Sequence, residues 1–364
     1  MNVPYLSLNN QWSDIRKEAL LLIDEVLSSG KYIEHEIVEL LEVELANKLG
    51  VKHVVLVNSG TDALMLALYS LGIKKNDEVI TVPNSFIASV AAIQHVGAIP
   101  KMVDVGLDHL IDVEQIEAAI TSKTRAIMPV HLEGKVCQMD VISEIAKRHN
   151  LLIIEDVAQA FGSKFSGKMA GSFSDVACFS LHPLKNLNAC GDGGFISTND
   201  LLLASRIRSL QNHGQTERNN SNEFGFVSRF DSIQAAIIRI RLKHIDKVIA
   251  NRRKNALIYD SYFKDTGVLS PIATELVFHT YHTYNIEVEN RDKIREKLLN
   301  LGVDTRIHYP KLITEQNAYI KKYGAFLGSI PNAIKQKNRI LSIPIHAHLM
   351  EEELAYVAKS ILNV

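Results

Sequence analysis

The stretch LLIIEDVAQAFGSKFSGKMAGSFSDVACFSLHPLKNLNACGDGG, residues 151–194, decides the fold. It opens on a continuous apolar run, residues 151–154, which is typical of a parallel strand buried on both faces. Two acids stand where this strand would end, the second of them Asp156. A second strand-like run, residues 175–180, is soon followed by Lys185. The stretch therefore predicts two neighbouring strands of an α/β sheet, each followed by charged residues.

An acid beyond one strand and a lysine beyond its neighbour are what a pyridoxal 5′-phosphate site requires. The amine of Lys185 would form an imine with the cofactor, and Asp156 would keep the ring nitrogen protonated so that the ring withdraws electrons. Burial and a cationic ring would both lower the pKa of such a lysine and so free it to attack a carbonyl. The alternative is an ordinary salt bridge between a strand end and a loop.

Short apolar runs alternate with helical patterns through the first part of the chain. The predicted strands are 53–57, 78–82, 100–103, 125–130 and 151–154, and the predicted helices between them are 62–71, 85–95, 113–120 and 140–149. This alternation implies βαβ units, and hence a mainly parallel sheet with helices on both faces. Before it, a helix capped by Ser13-Asp14 and ended by Gly30 is predicted.

The pattern changes after this alternation, and it changes again over the last hundred residues. A polar, loop-like segment, residues 211–223, precedes two predicted helices, 230–249 and 252–263. Strands are then predicted at 284–288, 303–307 and 340–343, with helices at 291–301 and 350–361. The pattern predicts a large α/β domain over residues 1–250 and a small α+β domain over residues 251–364.

Composition restricts the class of protein. A chain of 364 residues can bury a large core, and its net charge of −1 gives no basic field for nucleic acid. Three cysteines without ligand spacing argue against a disulfide framework or a zinc site, and His279/His282 and His346/His348 lack carboxylates at ligand spacing. With no signal pattern and no apolar run long enough for a bilayer, we expect a cytoplasmic enzyme or small-molecule binder and no metal.

Two further segments follow predicted strands. In Asn58-Ser59-Gly60-Thr61-Asp62, a turn opens a helix whose first amides would make an anion site, although a plain helix cap explains the pattern equally. Past another strand, the ring of Phe86 could stack on a planar cofactor or belong to the core. Gln159 would lie on the same side as the acid three residues before it.

These motifs together resemble the pyridoxal phosphate-dependent nucleotide-sugar aminotransferases of the DegT/DnrJ/EryC1/StrS family. The matching segments are SGTDALMLAL (59–68), DEVITVPNSFIAS (77–89), GAIP (97–100), AIMPVHLEG (126–134), IIEDVAQAFGS (153–163), FSLHPLKNLNACGDGG (179–194), FDSIQAAIIRIRL (230–242) and RIHYP (306–310). The resemblance implies fold-type I architecture, a three-layer α/β/α sandwich with a small C-terminal domain. It also implies a homodimer with shared active sites.

The resemblance implies a role for each matching residue. Lys185 would be the catalytic Schiff-base lysine, and Asp156 the partner of the pyridine nitrogen. Gln159 would contact the ring face or its hydroxyl, and Phe86 would stack on the ring. The residues that would hold the phosphate are Gly60, Thr61 and Ser180.

On the substrate side, the resemblance places His308 and Tyr309 near the sugar and directs Arg229 to the partner subunit's substrate. The family usually reads G-Y-N-x-R before the dimer helix, and its Asn reaches the neighbouring subunit's phosphate. Here residues 225–229 read GFVSR, and Val227 has no group for that hydrogen bond.

The segment after the lysine bears on the sugar carbon. KNLNACGDGG, residues 185–194, is nearer to the family's C3 pattern (K-N-L-G-A-x-G-D-G-G) than to its C4 pattern (K-x-x-T-T-G-E-G-G). The resemblance thus implies amination of a dTDP-3-keto-6-deoxyhexose by L-glutamate, for a cell-surface polysaccharide such as O-antigen or another glycoconjugate. A 4-keto sugar or a UDP-linked 3-keto N-acetyl sugar is the alternative. A dehydratase would need Lys185 replaced, and a regulatory protein would tolerate loss of Asp156 or Gln159.

Overall fold

The computed structural model describes residues 1–33, 35–272 and 274–364. Its strands are β1 (His53–Val57), β2 (Glu78–Thr81), β3 (Ile99–Met102), β4 (Thr124–Ile127), β5 (Leu152–Asp156), β6 (Lys164–Phe165), β7 (Lys168–Met169), β8 (Val176–Ser180), β9 (Gly194–Thr198), β10 (Gln215–Glu217), β11 (Asn220–Ser221), β12 (Val277–Phe278), β13 (Tyr284–Glu287) and β14 (Ile340–Ile343). Short 3₁₀ turns lie at Val113–Gln115, Leu132–Gly134 and Ile313–Glu315.

The helices connect these strands or cover them. They are α1 (Leu8–Ser29), α2 (Glu36–Leu49), α3 (Gly60–Ser70), α4 (Ile87–His95), α5 (Ile116–Ala119), α6 (Met139–His149), α7 (Leu201–Leu210), α8 (Ser232–Phe263), α9 (Arg291–Asn300), α10 (Asn317–Tyr323), α11 (Pro331–Arg339) and α12 (Glu351–Leu362). None of the helices in the described ranges is long and apolar enough to span a membrane.

A seven-stranded sheet in the order β1-β9-β8-β5-β4-β2-β3 forms the centre of the described structure. The pairs β2–β3, β2–β4, β4–β5 and β5–β8 are parallel, whereas β9 is antiparallel to both β8 and β1. Between β8 and β9, residues 181–193 carry the Lys185 loop instead of a crossover helix. Because a parallel return needs such a crossover, β9 runs back antiparallel. The predicted mainly parallel sheet is confirmed.

Alternate residues of the central strands enter different cores. Ile153 and Ala177 belong to a cluster that includes residues of α2 and α6. Their neighbours Ile154 and Val176 belong to a second cluster, with residues of α3 and α7. Since successive strand side chains point to opposite faces, a strand covered by helices on both faces must be apolar throughout. This explains the continuous apolar run before Asp156 and confirms the three-layer α/β/α arrangement.

A separate apolar cluster forms around the C-terminal elements. It joins residues of β13, β14 and α12 to the last turns of α8 and to Val3. β13 pairs with β14 antiparallel. Helix α8 runs unbroken through residue 250, so the division into domains 1–250 and 251–364 stays a prediction.

The prediction of two helices over residues 230–263 is wrong, because α8 is one continuous helix. The polar residues near its middle are not a break. Arg252 donates to the carbonyl of Tyr281 at 2.9 Å, and Asn255 donates to that of His346 at 3.0 Å. These buried side chains fasten α8 to the C-terminal elements.

Three other local predictions also fail. Helix α1 begins at Leu8, and Ser13 lies inside it, donating to the carbonyl of Asn9 at 3.0 Å. The segment predicted as a loop, residues 211–223, contains the short hairpin β10–β11. Residues 303–307 make isolated bridges and no strand. In each case, tertiary contacts override a short local pattern.

Glu155, the residue before Asp156, is a structural acid. Its carboxylate is fully buried and lies 2.9 Å from Nε2 of His131. It also accepts hydrogen bonds from the N–H groups of Gly171 (2.8 Å) and Phe173 (3.0 Å) and from the hydroxyl of Ser174 (2.7 Å). Burial raises the pKa of Glu155, but these partners outweigh it and leave the pKa below its ordinary value. The carboxylate therefore stays charged and ties β5 to the segment before β8.

Replacing this carboxylate should destabilise the fold strongly. In Glu155→Ala, His131 and three donors lose their partner, and we expect the free energy of unfolding to fall by about 3–5 kcal/mol, measured by urea unfolding. The exposed Glu144 is the control, because Glu144→Ala should change the same quantity by less than about 0.5 kcal/mol. Equal effects of the two variants would contradict this role for Glu155.

Candidate active site

A cavity of about 350 Å³ lies at the carboxyl ends of β5 and β8. Ligands of open α/β sheets bind outside such strand ends. The cavity brings together these predicted site residues: Gly60, Thr61, Phe86, Asp156, Gln159, Ser180, Lys185, His308 and Tyr309. Arg229 does not line it.

Asp156 is the last residue of β5 and is only 3% exposed. One carboxylate oxygen accepts from the hydroxyl of Ser89 at 2.8 Å, and the other from the N–H of Ala158 at 3.1 Å. Burial raises the pKa of Asp156 above its usual value, while Ser89, Ala158 and the charge of Lys185 oppose that rise. The carboxylate is thus fixed in orientation and poised to pair with a cationic group in the cavity.

Lys185 enters the cavity from the loop between β8 and β9. Burial lowers the pKa of its amine to about 8, although the nearby charge of Asp156 acts in the opposite direction. A lysine with this pKa is partly uncharged near neutral pH, which a nucleophilic amine requires. The loop itself is held from behind, because Arg241 donates to the backbone and side-chain oxygens of Asn188 at 2.6 and 2.8 Å.

The first turn of α3 forms an anion cradle at the cavity wall. Ser59 caps the helix, since its hydroxyl accepts from the N–H of Asp62 at 3.0 Å. A Cβ on Gly60 would lie 2.7 Å from Cβ of Ser180, so only glycine allows the helix end to approach β8 this closely. The free amides at Gly60 and Thr61, and the hydroxyl of Ser180, are the groups that a phosphate needs.

Gln159 and two aromatic rings also line the cavity. The carbonyl oxygen of Gln159 accepts from the N–H of Glu133 at 2.9 Å, and its amide nitrogen donates to the hydroxyl of Tyr309 at 3.2 Å. The ring of Phe86 lies 5.9 Å from that of Tyr309 at an angle of 39°. Phe86 is 54% exposed, which excludes the core interpretation and leaves its face available at the cavity mouth.

The histidines of the cavity are uncharged at neutral pH. Burial, reinforced by the charge of Lys185, lowers the pKa of His308 to about 4. Its Nδ1 lies 2.9 Å from the hydroxyl of Ser342. Burial followed by Lys185 also lowers the pKa of His282, to well below its ordinary value.

Several residues that line the cavity or contact its acid were not predicted, among them Ser89, Tyr5 and His282. Ser89 orients Asp156, whereas Tyr5 and His282 line the wall. Ser85 and Ser89, four residues apart in the sequence and 2.9 Å apart at their hydroxyl oxygens, are a weak sequence signal for this contact. Nothing local marks Tyr5, which reaches the cavity from the chain's N-terminal segment.

The residues present fit pyridoxal 5′-phosphate. A buried acid faces the place of a ring nitrogen, a lysine of lowered pKa supplies the amine, and a glycine-dependent helix end supplies an anion cradle. The aromatic rim and Gln159 suit the two faces of a planar ring. The described residues hold no group of three or more histidines, cysteines and acids placed to bind a metal ion.

Comparison with known proteins agrees with this geometry. The sequence model of the DegT/DnrJ/EryC1/StrS aminotransferase family matches residues 13–362. A pleiotropic regulatory protein of Geobacillus stearothermophilus is 37% identical over 99% of this chain and 98% of its own length. The dTDP-3-amino-3,4,6-trideoxy-alpha-D-glucose transaminase of Streptomyces venezuelae is 40% identical over 95% of this chain and 92% of its own.

The fold is shared with solved structures as well. The crystal structure of DesV from S. venezuelae, in complex with a ketimine intermediate, superposes with a TM-score of 0.96 at 39% identity, covering 100% of this chain and 98% of that one. The predicted family, the fold-type I architecture and the cofactor are therefore confirmed. With its lysine, acid and anion cradle around one cavity, the chain belongs to the DegT/DnrJ/EryC1/StrS family of pyridoxal phosphate-dependent sugar aminotransferases.

Proposed function

We propose that this protein transfers an amino group from L-glutamate to a nucleotide-linked keto sugar, specifically a dTDP-3-keto-6-deoxyhexose. The observation that carries the proposal is the shared cavity of Lys185, with its lowered pKa, and the buried carboxylate of Asp156. Lysine at this position disfavours a dehydratase on the same scaffold, and the intact Asp156 and Gln159 disfavour a purely regulatory role.

In this proposal each residue has one task. The cofactor, when bound, supplies an aldehyde carbon and an electron-withdrawing ring. Lys185 would take the proton from Cα of the amino donor onto its Nζ and pass it to the cofactor's former aldehyde carbon within the same half of the cycle; in the second half it would carry a proton from that carbon to the sugar carbon that gains the amine. Asp156 holds the proton of the ring nitrogen, and the amides at Gly60 and Thr61 bind the phosphate. Gln159 orients the ring.

The cavity wall favours an uncharged sugar. Tyr5, Leu6, Phe86 and Leu184 contribute apolar surface. Among the described residues that line the cavity, Lys185 is the one cationic side chain at neutral pH, because burial keeps the histidines neutral. A 6-deoxyhexose, with a methyl group at C6, suits such a wall better than a uronate with a carboxylate there.

The choice of C3 and of dTDP rests on sequence likeness. The segment 185–194 is nearer to the family's C3 pattern, and the S. venezuelae relative is named as a dTDP-3-amino sugar transaminase. The product would serve a cell-surface polysaccharide such as O-antigen, or another glycoconjugate. A cytoplasmic location stays a prediction.

We also propose a homodimer with shared active sites. Arg229, predicted to act on the substrate, lies outside its own chain's cavity. Nearby, Phe224 is 98% exposed and Val227 is 57% exposed, an apolar surface that a second copy would cover. In such a dimer, Arg229 is directed to the partner's site.

A substrate panel tests the proposed function. The holoenzyme is incubated with glutamate and, separately, dTDP-3-keto-6-deoxy, dTDP-4-keto-6-deoxy, UDP-3-keto N-acetyl and UDP-3-keto uronate sugars. Product is followed by mass spectrometry, and the aminated carbon by NMR. We expect the dTDP-3-keto sugar to react fastest and the uronate slowest. Faster turnover of the 4-keto sugar would overturn the assignment to C3.

Removing the amine should abolish turnover without unfolding the chain. We expect Lys185→Ala to retain its circular dichroism spectrum and to lose at least about a thousandfold in kcat, because both nucleophile and proton carrier are gone. It should also lack the visible absorbance that borohydride removes from the wild type. Lys123→Ala, at an exposed position, is the control and should keep full activity. Near-normal transamination by Lys185→Ala would contradict its catalytic role.

The hydroxyl of Ser89 should determine the pH below which kcat falls. Its hydrogen bond favours the ionised form of Asp156, so Ser89→Ala should raise the pKa of that carboxyl further. Since the ionised form is needed, the acid limb of the kcat–pH profile should move to higher pH by about one unit. Ser85→Ala leaves the bond to Asp156 in place and should shift the limb less. A shift to lower pH in Ser89→Ala would contradict this.

A further inference from the structure

A cluster of buried charges lies behind the cavity wall, outside the set of residues that contact it. The buried charge cluster consists of His109, Glu133, Lys135, Glu287 and Arg339. His109, Glu133 and Lys135 are each less than 9% exposed. The first three come from loops after β3 and β4, whereas Glu287 ends β13 and Arg339 ends α11. The cluster therefore joins the central sheet to the C-terminal elements.

The ion pairs of the cluster are short. Nδ1 of His109 lies 2.6 Å from Glu133, and its Nε2 lies 3.0 Å from Glu287. The amine of Lys135 lies 2.8 Å from Glu133, and Arg339 lies 3.2 Å from Glu287. Burial lowers the pKa of His109, but the two carboxylates outweigh it and raise the pKa to about 9. His109 is thus an imidazolium held between two acids.

The backbone of the same two residues reaches both walls of the cavity. The carbonyl of His109 accepts from the side chain of Asn84 at 2.9 Å, two residues before Phe86. The N–H of Glu133 donates to the carbonyl oxygen of Gln159 at 2.9 Å, which turns the amide nitrogen of Gln159 toward Tyr309.

These backbone contacts depend on an unfavourable conformation. His109 and Glu133 have φ values of 70° and 66°, in the left-handed region that disfavours residues with a side chain. Such conformations are unfavourable and persist where surrounding contacts over-determine them. The ion pairs of the buried charge cluster are contacts of that kind.

We propose that the buried charge cluster is a positioning device that fixes the spacing between the Phe86 loop and Gln159, the two walls of the cofactor cavity. The inference rests on the proposed placement of the cofactor between these walls. Glu133 is its central positioning residue, because its side chain holds His109 and Lys135 while its N–H holds Gln159. Through Glu287 and Arg339, the spacing is coupled to the C-terminal elements.

The test compares Glu133→Gln with a control buried carboxylate that neither lines the cavity nor belongs to the buried charge cluster. Glu42 is a suitable control because it is 7% exposed, pairs with Arg208 at 2.5 Å and accepts from the N–H of Leu56 at 2.9 Å. Hydrogen–deuterium exchange is followed by mass spectrometry in segments 83–90 and 157–162 of the full chain, with and without cofactor. The cofactor dissociation constant, kcat and KM are measured in parallel.

In Glu133→Gln, we expect exchange in both segments to accelerate roughly tenfold even without cofactor. The cofactor dissociation constant should rise on the order of ten- to a hundredfold, as for other residues that orient a binding group from behind. Glu42→Gln should lower global stability comparably but leave both segments and the dissociation constant within about twofold of wild type. Unchanged exchange in both segments of Glu133→Gln, relative to Glu42→Gln, would overturn the proposal.

A second variant tests the positioning role if the first does not fold, and exchange without cofactor distinguishes that role from the proposed function. If Glu133→Gln does not fold, Glu287→Gln removes the outer carboxylate that pairs with His109 and Arg339 but leaves Glu133 in place. The same acceleration at smaller size is then expected, and its absence overturns the proposal. Since exchange without cofactor is independent of turnover, a protein that fails to aminate keto sugars but shows the acceleration would overturn the proposed function and support the positioning role.

Discussion

The parallel pairing of β5 with β8 is the constraint on which the site depends. The register sets Asp156 beside Cys178, two residues before β8 ends at Ser180. Parallel strands end at the same edge, so the acid at the end of β5 and the Lys185 loop after β8 must meet there. The close approach of α3, allowed by Gly60, then closes the third side of the cavity. No residue of the site could keep its role if this register slipped by one.

The sheet that sets this register is itself stabilised by a buried charge. Glu155 and Asp156 are adjacent but face opposite sides of β5. Glu155 stabilises the fold, whereas Asp156 faces the cavity. Glu155 is paired with His131 and three further donors, which hold its pKa below the ordinary value and favour the ionised form. Asp156 accepts hydrogen bonds from only two donors, which do not offset the effect of burial, so its pKa stays raised. A cationic group in the cavity would supply the missing partner. One strand end thus supplies both a structural and a functional carboxylate, and the difference lies in the number of partners.

Periodicity and the strand-end rule predict that an acid, a lysine and a helix end meet at one edge of the sheet, and the resemblance to a known family assigns them to a cofactor site. Asp156 ends one strand, and Lys185 and the helix end at Gly60 each follow another, so their convergence is a consequence of topology. Ser89 and Tyr5 escape prediction because their contacts join segments distant in the chain, which no local pattern records. The polar middle of α8 resembles a break between two helices, whereas Arg252 and Asn255 are in fact buried against carbonyls of the C-terminal elements.

Burial of the cavity side chains affects the pKa of the lysine and those of the histidines in the same direction. Burial lowers the pKa of Lys185, so that its amine can act as nucleophile and base, and it lowers the pKa of His308 and His282, so that they stay neutral. A cavity open to water would leave Lys185 protonated and would bring the pKa values of His308 and His282 back toward their ordinary range. The lowered pKa of the lysine and the neutrality of the two histidines therefore have the same physical origin, which is burial.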